Sequence, residues 1–207
     1  MLYSGTDENG RYGVGVVLSK EMKKNVVKVE IKSCRVMKVK LCCERHNLNV
    51  VSAHAPRVGC DEEVKNRFWK QMNEMITPIE VEERLVIGGD LNGHIGRSRE
   101  NISRIHGGHG MGEMNEEGEL IVDFALSFDL ALNNTFFISK NYATYISGGR
   151  QMQIDFLLCK RNHLVEVKNC EIIKGETVSP QHRLVVSDFL IRRVAQEAKR
   201  PRDETEF

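Results

Sequence analysis

A short apolar run that ends in two glycines and an Asp-Leu-Asn sequence constrains the fold of this 207-residue chain more than any other stretch. Residues 85–87, Leu-Val-Ile, are typical of a buried strand. Asp90 and Asn92 stand at alternate positions, so their side chains point the same way on an extended backbone. A carboxylate can bind a divalent cation or orient a water, and an amide can donate to a phosphate oxygen. Residues 85–92 therefore predict a strand that ends in a functional site or, as the simpler alternative, in an ordinary Asx turn.

Four strand-like runs precede this stretch, at residues 13–18, 25–31, 35–41 and 46–53. The second and third runs alternate apolar residues with Lys, Glu and Ser, which is typical of antiparallel strands with one solvent-facing side. Their short connections predict a meander of about four strands. Pro56 ends the last strand soon after His54, because proline has no N–H to donate to a neighbouring strand.

Two helices are predicted, at residues 61–77 and 116–128. Asp61 can cap the first helix. Each helix carries an apolar stripe at helical spacing, which indicates packing against a core. The stripe of the first helix consists of Val64, Phe68, Trp69, Met72, Met75 and Ile76, and that of the second of Leu120, Ile121, Phe124, Ala125 and Phe128.

The second half of the chain adds strand-like runs at 129–134, 153–160, 165–173 and 184–192. Asp155 interrupts the apolar run at 153–160, and a buried charge is costly unless it is paired or faces a site. Asp155 is therefore either a salt-bridged strand residue or a site residue. The turn at 179–183 places His182 just before the last strand.

The stretch 97–114 predicts a long polar loop that is rich in glycine and contains His106 and His109. Two histidines three residues apart could bind a metal ion, but no third ligand is evident nearby, so a surface loop is the expected structure. Loops of this length inside a compact domain are usually functional or mobile.

Composition limits the classes of function. The net charge of +1 gives no overall basic field for nucleic acid, although a nuclease needs only a local phosphate track. No apolar run approaches the roughly 20 residues that cross a membrane, so no membrane association is expected. Six cysteines without a C-x-x-C pair predict buried or half-buried free thiols. We expect one domain at 1–195 and a charged tail at 196–207.

Three motifs carry a family resemblance, and they occur in the family's order: GGDLNGHIG (88–96), GGRQMQIDFLL (148–158) and PQHRLVV (180–186). They resemble the endonuclease/exonuclease/phosphatase superfamily, in particular RTE/BovB-type retrotransposon endonucleases and the craniofacial-development-protein-2-like proteins. The resemblance covers nearly the whole chain. It implies an α/β fold, a two-sheet β-sandwich flanked by helices that is DNase I-like and here lacks its first strands.

The resemblance also implies residue roles in Mg²⁺-dependent (or Mn²⁺-dependent) hydrolysis of DNA phosphodiester bonds. Asp90 matches the residue that orients or deprotonates the attacking water, and Asn92 matches the one that holds the scissile phosphate. Asp155 matches the aspartate that fixes an imidazole, here that of His182, which stabilises the charge that grows on the phosphate.

Two positions depart from the family pattern. Gln181 stands where the family usually has a metal-binding aspartate, and it offers only a neutral amide oxygen to a metal beside Asp90. His54 stands at the tyrosine that contacts the phosphate. No residue matches the family's metal-binding glutamate, so the domain is expected to be incomplete at its N-terminus.

Two main hypotheses about function remain open. The first is a DNA endonuclease of the abasic-endonuclease or retrotransposon type; the second is a catalytically inactive, retrotransposon-derived domain that acts as a binding or interaction module. A phosphatase of the same superfamily is a third hypothesis, which the RTE-like motifs disfavour. DNA is the implied partner, which implies an intracellular, nuclear location, and no protein partner is indicated.

Overall fold

A computed structural model describes residues 1–43, 46–177 and 180–191 of the chain. The predicted charged tail at 196–207 lies outside these residues, as do the last positions of the predicted domain at 1–195 and Ser179 of the predicted turn.

The described residues form twelve strands, three α-helices and two 3₁₀ helices, the latter at Asn133–Thr135 and Arg161–Glu166. In chain order the strands and α-helices are β1 (Leu2–Tyr3), β2 (Gly15–Val16), α1 (Lys20–Lys23), β3 (Val26–Ser33), β4 (Val36–Cys43), β5 (His46–His54), α2 (Glu62–Ile76), β6 (Arg84–Asp90), α3 (Glu116–Ser127), β7 (Leu130–Leu132), β8 (Tyr145–Ser147), β9 (Arg150–Met152), β10 (Asp155–Lys160), β11 (Val167–Thr177) and β12 (Arg183–Phe189).

A mixed six-stranded sheet in the order β3-β4-β5-β6-β10-β7 forms the centre of the fold. Strands β3, β4 and β5 are an antiparallel meander, as their alternating pattern predicts. Strand β6 runs parallel to β5, and helix α2 connects the two, because parallel neighbours need a long crossover. Strand β10 then enters antiparallel between β6 and β7.

The prediction that residues 13–18 are the first strand of this meander is wrong. Only Gly15–Val16 is a strand, and it pairs with Leu2–Tyr3 in a separate two-stranded sheet. The polar turn between them is closed by Asp7, whose side chain accepts from the backbone N–H groups of Asn9 and Arg11. This turn folds the chain back on its own N-terminus, so the pairing is local.

Helices α2 and α3 pack on one face of the sheet, as their apolar stripes predict. Phe68, Met72 and Met75 are almost fully buried in the same cluster as Leu85 and Ile87 of the central strand. Two details of the prediction for α2 are wrong. The side chain of Asp61 makes no capping hydrogen bond, and Val64 is 36% exposed because it lies at the solvent edge of the stripe.

The opposite face of the sheet is covered by two strand pairs. Met37 and Val39 of β4 pack with Val14 and Val16 beside β1–β2, whereas Cys159 of β10 packs with Val167 in the cluster beside β11–β12. The α/β architecture with a DNase I-like layered sheet is therefore confirmed. Among the described residues, the second layer consists of separate strand pairs rather than one wide sheet.

The loop at 97–114 is less exposed than predicted. His106 is fully buried, and its Nδ1 accepts a hydrogen bond from the backbone N–H of Gly108. The reason is that the loop attaches to the end of the sheet, where the N–H of Leu132 donates to the carbonyl of Ile105. His109 is half-buried.

The six cysteines are free thiols, as predicted, but Cys42 is exposed rather than buried or half-buried. Leu41 and Cys43 on either side of it pack towards the β1–β2 pair, so the side chain of Cys42 points to the other face at the end of β4. None of the described helices is long and apolar enough to cross a membrane.

Candidate active site

Three polar side chains lie at the same level on three neighbouring strands. The pairing registers place His54 of β5 beside Asp90 of β6, and Asp90 beside Asp155 of β10. Directly paired residues project to the same side of a sheet. The three side chains therefore form a row across the end of the central strands.

Glycine and asparagine shape the chain at the end of β6. A Cβ atom on Gly89 would collide with the carbonyl oxygen of Ala53, so only glycine lets β5 and β6 approach this closely. Asn92 has a φ of +51°, a conformation that asparagine tolerates better than most residues. Its backbone N–H donates to Oδ1 of Asp90 at 2.9 Å, which forms an Asx turn and fixes the carboxylate.

His182 reaches this row from the turn before β12. Two backbone hydrogen bonds hold the turn against β8: Ile146 N–H donates to the carbonyl of Gln181 at 2.9 Å, and Arg183 N–H donates to the carbonyl of Thr144 at 2.8 Å. Nδ1 of His182 lies 3.1 Å and 3.2 Å from the two carboxylate oxygens of Asp155. The Tyr145 ring packs edge-on against the imidazole, with centroids 4.8 Å apart.

Asp90, Asp155 and His182 form a cluster that could hold a metal ion. One ligand atom from each residue lies within 4.8 Å of the others. Mg²⁺ is usually held by one or two carboxylates and keeps several waters, so the two aspartates fit such an ion. Because Asp155 already contacts His182, Asp90 is the carboxylate better placed to serve as a ligand.

Burial raises the pKa of both carboxylates. Burial, together with the negative charge of Asp155, raises the pKa of Asp90 to about 6, although the N–H of Asn92 and the charges of His182 and Arg57 oppose this shift. Burial also raises the pKa of Asp155, against the hydrogen bonds from Thr144 and His182. A cation held by this cluster would offset the negative charge that Asp155 imposes on Asp90.

His54 is neutral at physiological pH. Burial lowers its pKa to about 4, and the charges of Arg35 and Arg57 add to this shift. Its ring packs edge-on against Tyr12, with centroids 5.8 Å apart. A neutral imidazole can donate one hydrogen bond to a phosphate, but it adds no positive charge.

Asn92 and Gln181 have different positions relative to the cluster. Asn92 lines the cleft above Asp90, and its Nδ2 donates to the carbonyl of Ala55 at 2.9 Å. Gln181 is exposed, and its Nε2 donates to Oγ of Ser147 at 2.9 Å. The structure therefore brings Asn92 to the site, whereas Gln181 is not among the residues that line the cleft.

The cleft has a volume of about 280 Å³, and three of its polar residues were not identified from the sequence: Arg57, His94 and Tyr145. Arg57 follows Pro56 at the point where β5 ends, and its charge acts on both Asp90 and His54. His94 stands two residues after Asn92. For Arg57 and His94, a position in the loop after a strand is a sequence signal that could have indicated them, whereas Tyr145 lies within β8.

No family model matches the chain. Craniofacial development protein 2 from Bos taurus is 25% identical over 194 residues, which are 92% of this chain and 32% of that protein. The same protein from Tragulus javanicus is also 25% identical over 194 residues, 92% of this chain and 33% of that protein. The chain thus spans about a third of the length of the curated relatives that it matches.

Solved nuclease structures share the fold. The endonuclease domain of TRAS1, a telomere-specific non-LTR retrotransposon, aligns with a TM-score of 0.62 at 12% identity, over 91% of this chain and 77% of that domain. The 3′-5′ exonuclease NExo from Neisseria meningitidis aligns with a TM-score of 0.57 at 12% identity, over 76% of this chain and 65% of that enzyme. The resemblance inferred from the motifs is confirmed: the chain is similar over nearly its whole length to craniofacial development protein 2 and has the fold of endonuclease/exonuclease/phosphatase-type nucleases.

Proposed function

We propose that this domain hydrolyses phosphodiester bonds in DNA with the help of Mg²⁺ or Mn²⁺, as an endonuclease. The observation that carries the proposal is the convergence of Asp90, Asp155 and His182, whose ligand atoms lie within 4.8 Å of one another, with Asp90 and His182 lining one cleft. Asp90 and Asp155 are neighbours through the pairing of β6 with β10, and His182 joins them through the hydrogen bonds that hold its turn beside β8.

Each residue has a role that its environment supports. Asp90, with a pKa of about 6, is ionised at neutral pH and still basic enough to accept a proton from the attacking water. Asp155 accepts from Nδ1–H of His182 and stabilises the imidazolium form, which donates from Nε2 to the charge that develops on the phosphate. Bound Mg²⁺ would supply Lewis-acid stabilisation of that same charge.

Phosphate binding is the task of the residues around the cluster. Nδ2 of Asn92 has a second N–H beyond the one that it donates to Ala55. Arg57 lines the cleft and brings a permanent positive charge next to Asp90. His54, on the strand beside Asp90, can contribute a neutral donor.

Two structural neighbours support the choice of DNA as the substrate. TRAS1 is a telomere-specific retrotransposon, and a second NExo structure, that of a 3′ phosphatase carrying a single substitution, is bound to a product DNA hairpin. These are properties of the neighbours, and they make DNA the substrate to test with this domain.

A binding module without catalysis is the second candidate, and one observation favours it. The amide of Gln181 donates to Ser147 and does not line the cleft, so Asp90 and Asp155 are the only carboxylates that line or adjoin the cleft among the described residues. Fewer anionic ligands mean weaker cation binding.

A nicking assay separates the two candidates. Supercoiled plasmid and an abasic-site duplex are incubated with the protein in Mg²⁺, in Mn²⁺ and in EDTA, and a circular-dichroism melt verifies that the sample is folded. The endonuclease predicts nicking that requires the metal and stops in EDTA. A folded sample that binds the duplex but never nicks it would support the binding module.

A further inference from the structure

A second groove lies beside the catalytic cleft, on the other side of strand β9. It has a volume of about 440 Å³, and Gln151 lines it, whereas the next residue, Met152, lines the cleft. Adjacent residues of a strand point to opposite sides. The groove and the cleft therefore share β9 as a wall.

Two parallel aromatic rings form part of the groove. The rings of His109 and Tyr142 are inclined by only 3°, and their centroids are 6.3 Å apart. Both side chains are half-buried, unlike rings that belong to the core. The backbone N–H of His109 donates to the carbonyl of Thr135 at 3.1 Å, and the Tyr142 hydroxyl accepts from the N–H of Ser139 at 3.0 Å. Both rings are thus held in place without being covered.

Two cationic side chains accompany the rings. Arg97 and Lys140 line the same groove, and both are exposed. Aromatic faces together with cations are the combination that binds single-stranded nucleic acid, since bases stack on the rings and the cations contact the phosphates. A paired base is covered on both faces by its neighbours in the duplex, so only an unpaired base has a face for such a ring.

A buried amide lies behind the wall of the groove. Gln153 is 3% exposed, and neither its Oε1 nor its Nε2 has a hydrogen-bond partner among the described residues. A Cβ on Gly110, which lines the groove, would lie 3.3 Å from that Oε1. The amide is therefore directly behind the groove wall. Gln153 is not itself among the residues that line the groove, so the rings and the cations are the groups that a ligand there would meet.

We propose that this groove, formed by His109, Tyr142, Arg97 and Lys140, binds an unpaired nucleobase of the DNA strand that is cleaved. The inference rests on the proposed function and specifies its substrate class. The preferred DNA has an unpaired base close to the scissile phosphate, as in a single strand, a junction or a base rotated out of the duplex.

Fluorescence of 2-aminopurine tests the subsite without requiring catalysis. Short single-stranded oligonucleotides with 2-aminopurine at successive positions are titrated with the protein in EDTA, and anisotropy of an end label measures binding in parallel. Stacking quenches 2-aminopurine, so we expect quenching at one position or at two neighbouring positions. Tyr142→Ala and His109→Ala each lose the quenching and weaken binding roughly 5- to 150-fold, the equivalent of one base–aromatic stack. Tyr142→Phe keeps the ring and retains the quenching.

The outcomes distinguish the subsite from the catalytic proposal. Binding of the oligonucleotide without quenching at any position overturns the subsite, as does a Tyr142→Ala protein that is folded and binds as tightly as Tyr142→Phe. Absence of binding also overturns it. Quenching without metal-dependent nicking supports the base-binding groove and contradicts the endonuclease. Metal-dependent nicking without quenching supports the endonuclease and overturns the base-binding groove.

Discussion

At the residue scale, Asp90 is held in an environment that opposes its charge. Burial and the neighbouring Asp155 raise its pKa from 3.8 to about 6. The folded protein therefore binds a proton at Asp90 more tightly than the unfolded chain does. The contribution of this proton to the free energy of unfolding is fully present below pH 3.8 and is lost as the pH rises through about 6.

Replacing Asp90 by asparagine should therefore stabilise the metal-free protein at neutral pH. We expect the free energy of unfolding of Asp90→Asn to exceed that of the wild type by up to about 3 kcal/mol at pH 7.5, the equivalent of a pKa change of two units, and by much less at pH 4.5. Thermal melts in EDTA at both pH values measure this difference. The control is Asp123→Asn on the exposed side of α3. A stability difference between Asp90→Asn and the wild type that shrinks as the pH rises would contradict the raised pKa of Asp90.

A divalent cation should remove the same unfavourable charge. We expect Mg²⁺ and Mn²⁺ to raise the melting temperature of the wild type at pH 7.5, because an ion that binds only the folded state stabilises it by about 2.7 kcal/mol at one hundred times its dissociation constant. Asp90→Asn should lose most of this increase. Melts with and without metal measure the effect, and an equal increase in both proteins would place the cation elsewhere.

At the element scale, the site depends on the close approach of β5 and β6. The two strands carry His54 and Asp90 at paired positions, and Gly89 permits the contact because its Cβ would collide with the Ala53 carbonyl. The neighbouring Gly88 is under much less constraint. A Cβ there would meet only the end of the Leu157 side chain, at 3.0 Å.

These two glycines provide a matched pair of substitutions. Gly89→Ala should destabilise the fold by about 2 to 4 kcal/mol, because the backbone of β5 must move, and it should abolish nicking even where the protein remains folded. Gly88→Ala should destabilise the fold less than Gly89→Ala does, because the end of the flexible Leu157 side chain can move. Urea denaturation and nicking assays measure both effects. Equal behaviour of the two variants would show that strand spacing does not control the site.

At the scale of the whole molecule, the sequence predicted the elements that follow from local periodicity. Helix α2 and strand β6 lie within two residues of their predicted bounds, because apolar stripes and apolar runs report burial directly. The family resemblance of the motifs implied that Asp155 fixes the imidazole of His182, and in the structure ligand atoms of both residues and of Asp90 lie within 4.8 Å of one another.

What the sequence did not predict depends on contacts between distant segments. The pairing of Gly15–Val16 with the N-terminus, the burial of His106 and the orientation of the Gln181 amide towards Ser147 are set by neighbours that no local pattern reveals. Arg57 was missed for the same reason, since its importance arises only from its position beside Asp90 and His54.

A double-mutant cycle on Asp155 and His182 tests the central claim most directly, because the claim is that these residues act as one catalytic unit. Single-turnover nicking rates in Mg²⁺ are measured for Asp155→Ala, His182→Ala and the double variant, each shown to be folded. We predict that each single substitution lowers the rate about 10²- to 10⁴-fold and that the double substitution lowers it no further than the more severe single one. Folded single variants that nick DNA at the wild-type rate, or losses that add in full, would contradict the proposed site.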